Sequence, residues 1–118
     1  MTLTEMKDLL YRWFKAAECG GLVLPDGWFG RPYDNFFNLR AVELDADSLT
    51  IHLGGDVSLR LVNPSHACVE YSELVFEGFD DLWFRWREVG GTEFHEELYG
   101  TGQLRLVPPV GTAVRLDC

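Results

Sequence analysis

Positive charge is scarce in this chain: ten Lys and Arg stand against nineteen Asp and Glu, a net charge of −9. Nucleic acids are gripped by clustered Lys and Arg, so this balance argues against a nucleic-acid partner and for solubility or a basic partner. Long apolar runs are missing too. No stretch approaches membrane-spanning length, and Met1 to Lys15 carries Glu5, Lys7, Asp8 and Arg12 where a signal peptide is apolar. The expectation is a soluble cytoplasmic protein without a membrane partner. Cysteine is sparse: Cys19, Cys68 and Cys118 lie far apart, without the close spacing of zinc sites or redox motifs. Three free thiols, no metal and no cofactor are therefore expected.

What is abundant is apolar and aromatic. A 47% apolar fraction, with four Trp and eight Phe among 118 residues, suits one globular domain over 1–118 with a sheet-rich core. On folding, such a chain buries roughly two-thirds of its extended surface. At the front, Leu3, Met6, Leu9, Leu10, Trp13, Phe14 and Ala17 recur at spacings of three and four, which predicts a helix over about 3–18. Thr2 and Glu5 have capping-box spacing, and Gly20 with Gly21 are placed to stop the helix.

From about residue 36 to the end, short apolar segments separated by Gly, Asp, Asn and Pro predict a β-meander. Where one face is buried, pairing must set apolar opposite apolar, and this tests hairpin register. For Leu49 to Leu61, a loop of Gly54, Gly55 and Asp56 pairs Leu53 with Val57, Ile51 with Leu59 and Leu49 with Leu61. One loop residue should then adopt the left-handed region. For Leu82 to Tyr99, a Gly90, Gly91 and Thr92 loop pairs Phe84 with Leu98, Arg85 with Glu97 and Arg87 with His95 as a surface charge ladder. The alternative register sets Glu88 against Glu93 and is disfavoured. Further strands are expected at Phe36 to Leu44 with a bulge, at Cys68 to Phe76 and at Leu104 to Val107, and the tail Thr112 to Cys118 can add a final short strand or pair with another subunit. The predicted fold class is α+β: an N-terminal helix packed on a curled antiparallel sheet or partial barrel of about seven or eight strands.

Between helix and meander, residues 24–35 read Leu24 Pro25 Asp26 Gly27 Trp28 Phe29 Gly30 Arg31 Pro32 Tyr33 Asp34 Asn35. Large rings on a backbone stiffened by two prolines need burial or a partner. The expected role is structural, with Trp28, Phe29 and Tyr33 plugging the end of the barrel or the gap beneath the helix. This segment, preceded by a short amphipathic helix and followed by strands, resembles a recurrent pattern in small bacterial proteins of unknown function. The resemblance is specific over these twelve residues and architectural elsewhere. It implies a shared fold and carries over no activity and no catalytic residue.

No recognisable reaction chemistry appears, so enzyme activity is not expected. His95 and Glu97 share a strand face with Glu96 turned away, and Ser65 and His66 are adjacent on extended chain and point apart. Charge is the better guide. Nine acids between Glu70 and Glu97 face only Arg85 and Arg87, which puts −7 of the −9 in this segment. The leading expectation is a non-enzymatic interaction module, comparable to small acidic immunity-type proteins, that binds a basic partner through Glu73, Glu77, Asp80, Asp81 and Glu93. The alternative is a small-ligand pocket inside the curled sheet, lined by Trp28, Arg31, Tyr33, Phe84 and Trp86. An unpaired sheet edge or the C-terminal segment would also allow a homodimer.

Overall fold

The structure, a computed structural model, describes residues 1–30, 35–88 and 90–116. Helix α1 spans Leu3–Ala17 and buries Met6, Leu9, Leu10, Trp13, Phe14 and Ala17, the stripe expected from spacing. Its start is the expected capping box: the Thr2 hydroxyl accepts from the Glu5 N–H at 3.1 Å and the Glu5 carboxylate accepts from the Thr2 N–H at 2.9 Å. The stop comes earlier than expected. Glu18 takes φ 71° and donates its N–H to the Phe14 carbonyl, so a glutamate rather than Gly20 turns the chain. Gly20 instead permits close packing, because a Cβ there would lie 2.9 Å from the Trp13 ring, and its backbone bridges Phe37.

The strands are β1 (Gly21–Leu24), β2 (Gly27–Trp28), β3 (Leu39–Leu44), β4 (Ser48–Leu53), β5 (Val57–Val62), β6 (His66–Glu70), β7 (Glu73–Glu77), β8 (Asp81–Arg87), β9 (Phe94–Tyr99) and β10 (Gln103–Val107). They form two antiparallel five-stranded sheets, the first in the order β2-β1-β10-β7-β6 and the second β3-β4-β5-β8-β9. The fold is therefore α+β as expected, but a single sheet of seven or eight strands is not what forms. After β5 the chain leaves the second sheet, makes the β6–β7 hairpin in the first and returns as β8 beside β5. Around the returning segment, Asn63 donates to the Asp80 carboxylate at 2.8 Å and Asp80 N–H donates to the Val62 carbonyl at 2.9 Å. The two sheets and α1 share one core: Leu22, Leu74, Phe76, Leu104 and Leu106 from the first sheet, and Leu49, Ile51, Leu59, Leu61 and Phe84 from the second. Each large side chain so buried contributes about 1.5–3 kcal/mol relative to exposure.

The β4–β5 hairpin has the expected register, with Gly55 and Asp56 at φ 74° and 59°. The β3 bulge is present between Leu39 and Ala41. The strand expected over Cys68 to Phe76 instead breaks at Tyr71 and Ser72, whose φ values of 50° and 70° make a two-residue hairpin turn without glycine or asparagine. Its cost is offset by anchoring. The Trp13 indole N–H donates to the Ser72 carbonyl at 2.9 Å, and the Ser72 hydroxyl accepts from the Val114 N–H at 3.0 Å. Residues 112–116 form no strand, and Val114 is buried against the core. Cys19 is a free thiol, raised from its ordinary pKa by burial and then by the Glu18 charge, whereas Cys68 is disulfide-bonded, which corrects the expectation of three free thiols. Cys118 lies outside the described residues.

Tyr71 is 99% exposed, so its substitution tests backbone strain without loss of packing. Tyr71→Asn, which suits the left-handed region, is expected to stabilise the fold by about 0.5–1 kcal/mol and raise the thermal midpoint by a few degrees. Trp13→Phe, which leaves the Ser72 carbonyl without its donor and opens a cavity, is expected to destabilise by about 2–4 kcal/mol. Chemical and thermal denaturation followed by circular dichroism measure both.

Candidate functional site

Strand β9 is the outermost strand of the second sheet, and every one of its residues except Tyr99 is exposed. Its pairing with β8 sets Phe84 opposite Glu97, Arg85 opposite Glu96, Trp86 opposite His95 and Arg87 opposite Phe94. This is the register that charge pairing disfavours. Pairing ends at Arg87 and Phe94, so Glu88 and Glu93 stay in the connection rather than facing each other in the ladder. Because neither face of β9 is buried, no apolar pattern selects its register. Contacts between rings and guanidinium groups occupy it instead: Trp86 stacks on His95 at 4.4 Å, and Arg85 lies 3.8 Å above the Phe94 ring.

The expected ladder of Arg85 with Glu97 and Arg87 with His95 is therefore absent. Arg87 pairs with the Asp56 carboxylate, and Arg85 makes no ion pair among the described residues. Glu88, Glu93, Glu96 and Glu97 are all exposed along this hairpin. The Tyr99 hydroxyl donates to Glu97 and lies 3.4 Å from Asp26 Oδ2 in the β1–β2 turn, so it links the two sheets at an acidic corner. Burial first, then the hydrogen bond to Glu97 and the charge of Asp26, push the Tyr99 phenol well above its ordinary value.

The other residues expected to bind a partner are dispersed. Glu73 and Glu77 lie on β7 in the first sheet, where Arg105 lies 3.2 Å from Glu73 and 3.7 Å from Glu70, and Gln103 donates to Glu77 at 3.0 Å. Asp80 is in the crossover and Asp81 begins β8, while Glu93 sits at the far end of the second sheet. The acidic segment is continuous in sequence but divided between two sheets. Asp26 and Glu97 flank the Tyr99 hydroxyl, and Glu88 and Glu96 are exposed on the same hairpin as Glu93; none of the four is among the residues expected to bind a partner. The signal in the sequence is the density of acids near Glu93; the join to Asp26 requires the fold.

The expected aromatic pocket is also partly dismantled. Phe84 is buried in the core, Trp28 sits on β2, and Arg31 and Tyr33 lie outside the described residues. Phe29, one of the three rings expected to plug a barrel end or the gap beneath the helix, packs on Phe84 at 4.7 Å, Trp86 at 5.3 Å and Phe37 at 6.1 Å between ring centres. The segment is drawn tight at Gly30, with φ 77°, where a Cβ would fall 1.7 Å from the Asn35 amide. Beside these rings is a recess of about 360 Å³ lined by Phe29, Asn35, Phe36, Phe37, Trp86 and Arg87 among others. The Trp86 indole N–H is buried there without a hydrogen-bond partner among the described residues.

No family model, curated protein or solved structure matches the chain. Among the described residues, no group of three or more His, Cys, Asp or Glu is gathered to hold a metal, and no helix is long and apolar enough to cross a membrane.

The raised Tyr99 value fixes a pH response. The unfolded phenol ionises near pH 10 while the folded one stays protonated, so stability from this group is full below about pH 10 and is lost as pH rises further. Tyr99→Phe is expected to remove the highest-pH phase of tyrosinate absorbance and to flatten the alkaline fall in the denaturation midpoint; identical alkaline curves for the two proteins would refute the assignment.

Proposed function

We propose that this protein is a non-enzymatic interaction module that binds a basic partner through the acidic β8–β9 edge. The observation that carries this reading is β9 itself: a strand exposed on both faces, with no strand on its outer side among the described residues and glutamates at 93, 96 and 97 on it or beside it. Such an edge accepts an extended segment by strand addition, with main-chain hydrogen bonds supplying affinity and side chains supplying selectivity. Charge selects a cationic segment and steers its approach. A second copy of the chain fits less well. The three antiparallel registers that pair most of β9 with itself set Glu96 against Glu96, Glu96 against Glu97, or Glu97 against Glu97, and like charges directly opposite destabilise.

The immunity-type analogy and the resemblance of residues 24–35 to small bacterial proteins belong to this proposal and rest on charge and on that segment alone. As to compartment, the disulfide at Cys68 favours an oxidising setting over the cytoplasm expected from the charged N-terminal segment.

A lysine-rich extended peptide and low-salt co-purification from the native host test the module. Glu93, Glu96 and Glu97 all changed to Lys are expected to weaken peptide binding at least about tenfold and to abolish co-purification, while reversal at Glu73, Glu77 and Asp81 leaves both intact. Equal loss in the two triple variants, or no binding at low salt, would sink the reading.

One observation favours a second reading, the aromatic recess as a ligand site. A buried indole N–H without a partner among the described residues calls for an acceptor, and the volume suits a small molecule. Trp86→Phe removes the donor together with part of the ring. For aromatic amides that raise the thermal midpoint, it is expected to weaken binding about tenfold, as a lost hydrogen bond would. Failure of such amides to bind the unsubstituted protein removes this reading.

A further inference from the structure

The outer face of the second sheet carries a trough where three arginines gather beside three acids. Strand pairing aligns His52, Ser58, Arg85 and Glu96 in one row across β4, β5, β8 and β9, with Arg60 in the adjoining row and Arg40 at the β3 bulge. Two surface pockets, of about 420 and 350 Å³, share Ser58 and Arg85 as lining. Arg40 lines the larger and Arg60 the smaller.

The state of these arginines is unusual for such an acidic chain. Arg40 makes no hydrogen bond or ion pair among the described residues, Arg60 contacts only the Ser48 hydroxyl at 3.3 Å, and Arg85 rests on the Phe94 ring. Three guanidinium groups thus form no ion pair among the described residues, where acids outnumber bases nearly two to one. Three acids also line the pockets, Glu43 and Asp56 the larger and Glu96 the smaller, and two of them are already paired. Glu43 lies 3.0 Å from His52 Nε2, and Asp56 is held by Arg87. Glu96 stands directly across from Arg85 in the ladder but forms no ion pair with it. A guanidinium presents a fixed fork of donors that matches carboxylate and phosphate oxygens, and Ser58 lines both pockets beside Arg85.

We propose that this trough binds a small organic anion, held at its carboxylate or phosphate by Arg85 with Arg40 or Arg60 and flanked by the rings of Phe94 and Trp83. The site adjoins the acidic edge at Glu96, which lines the smaller pocket, whereas Glu97 pairs with Phe84 and lies on the opposite face of the sheet.

Inorganic phosphate and glutarate serve as probes, titrated against the arginine Nε–H signals in ¹H–¹⁵N spectra at constant ionic strength with sodium chloride as reference. Saturable shifts at Arg85 and at Arg40 or Arg60 are expected, with Kd on the order of 1 mM, and the tighter probe assigns the anionic group. Arg85→Gln should weaken binding at least about tenfold. Arg40→Gln, exposed and unpartnered and so harmless to folding, should weaken it several-fold, and Lys7→Gln on the helix should change nothing. Shifts that never saturate, that chloride reproduces, or that persist unchanged when Arg40 and Arg85 are both replaced would overturn the proposal.

Discussion

The hydrogen bond from the Trp13 indole to the Ser72 carbonyl is the contact on which the rest of the fold leans. It ties the helix to the turn of the β6–β7 hairpin, which lies in the first sheet and, along the chain, between two strands of the second. Tyr71 and Ser72 both take positive φ, a conformation that ordinary residues adopt only where the surroundings enforce it. Trp13 enforces it from one side, and the tail, through Val114 on the Ser72 hydroxyl, from another. The same indole lies against Gly20, whose backbone bridges Phe37 at the approach to β3. One fully buried side chain thus joins the helix, the β6–β7 hairpin and the entry to the second sheet.

That dependence explains which parts of the fold are legible in the sequence. The helix stripe and the β4–β5 register can be read because each buries one face, and burial imposes a period. The β6–β7 break is invisible because its turn residues are tyrosine and serine, and the interactions that hold them come from residues 13 and 114. The β8–β9 register is misread for the converse reason. With both faces of β9 in water, charge pairing is the only criterion the sequence offers, and the actual determinants are a Trp–His stack and an arginine over Phe94.

Charge follows the topology. Acids that run together from Glu70 to Glu97 part company because β6 and β7 belong to one sheet and β8 and β9 to the other. On the first sheet Arg105 neutralises part of that charge at Glu70 and Glu73. At the β9 corner no equivalent cation intervenes among the described residues, and Tyr99 places its hydroxyl between Glu97 and Asp26. Sequence density of acid is therefore a sound indicator of a charged surface and a poor indicator of its location.

The arginines behave in the opposite way. Arg40, Arg60 and Arg85 are scattered along the chain, and no window of sequence marks them as a group. Antiparallel pairing assembles Arg60 and Arg85, because β4, β5 and β8 align their outward positions while the inward ones carry Ile51, Leu59 and Phe84 into the core, and the β3 bulge adds Arg40. The same alternation that fills the interior thus selects which polar residues share the outer face. A core register that is over-determined by apolar packing holds the outer side chains in fixed relative positions without any contact among themselves. Preorganisation of that kind is what lets guanidinium groups remain apart from the abundant carboxylates nearby. The acidic edge and the arginine trough then follow from one arrangement: β8 is covered on its inner face and locked in place, whereas β9 beside it is bare on both.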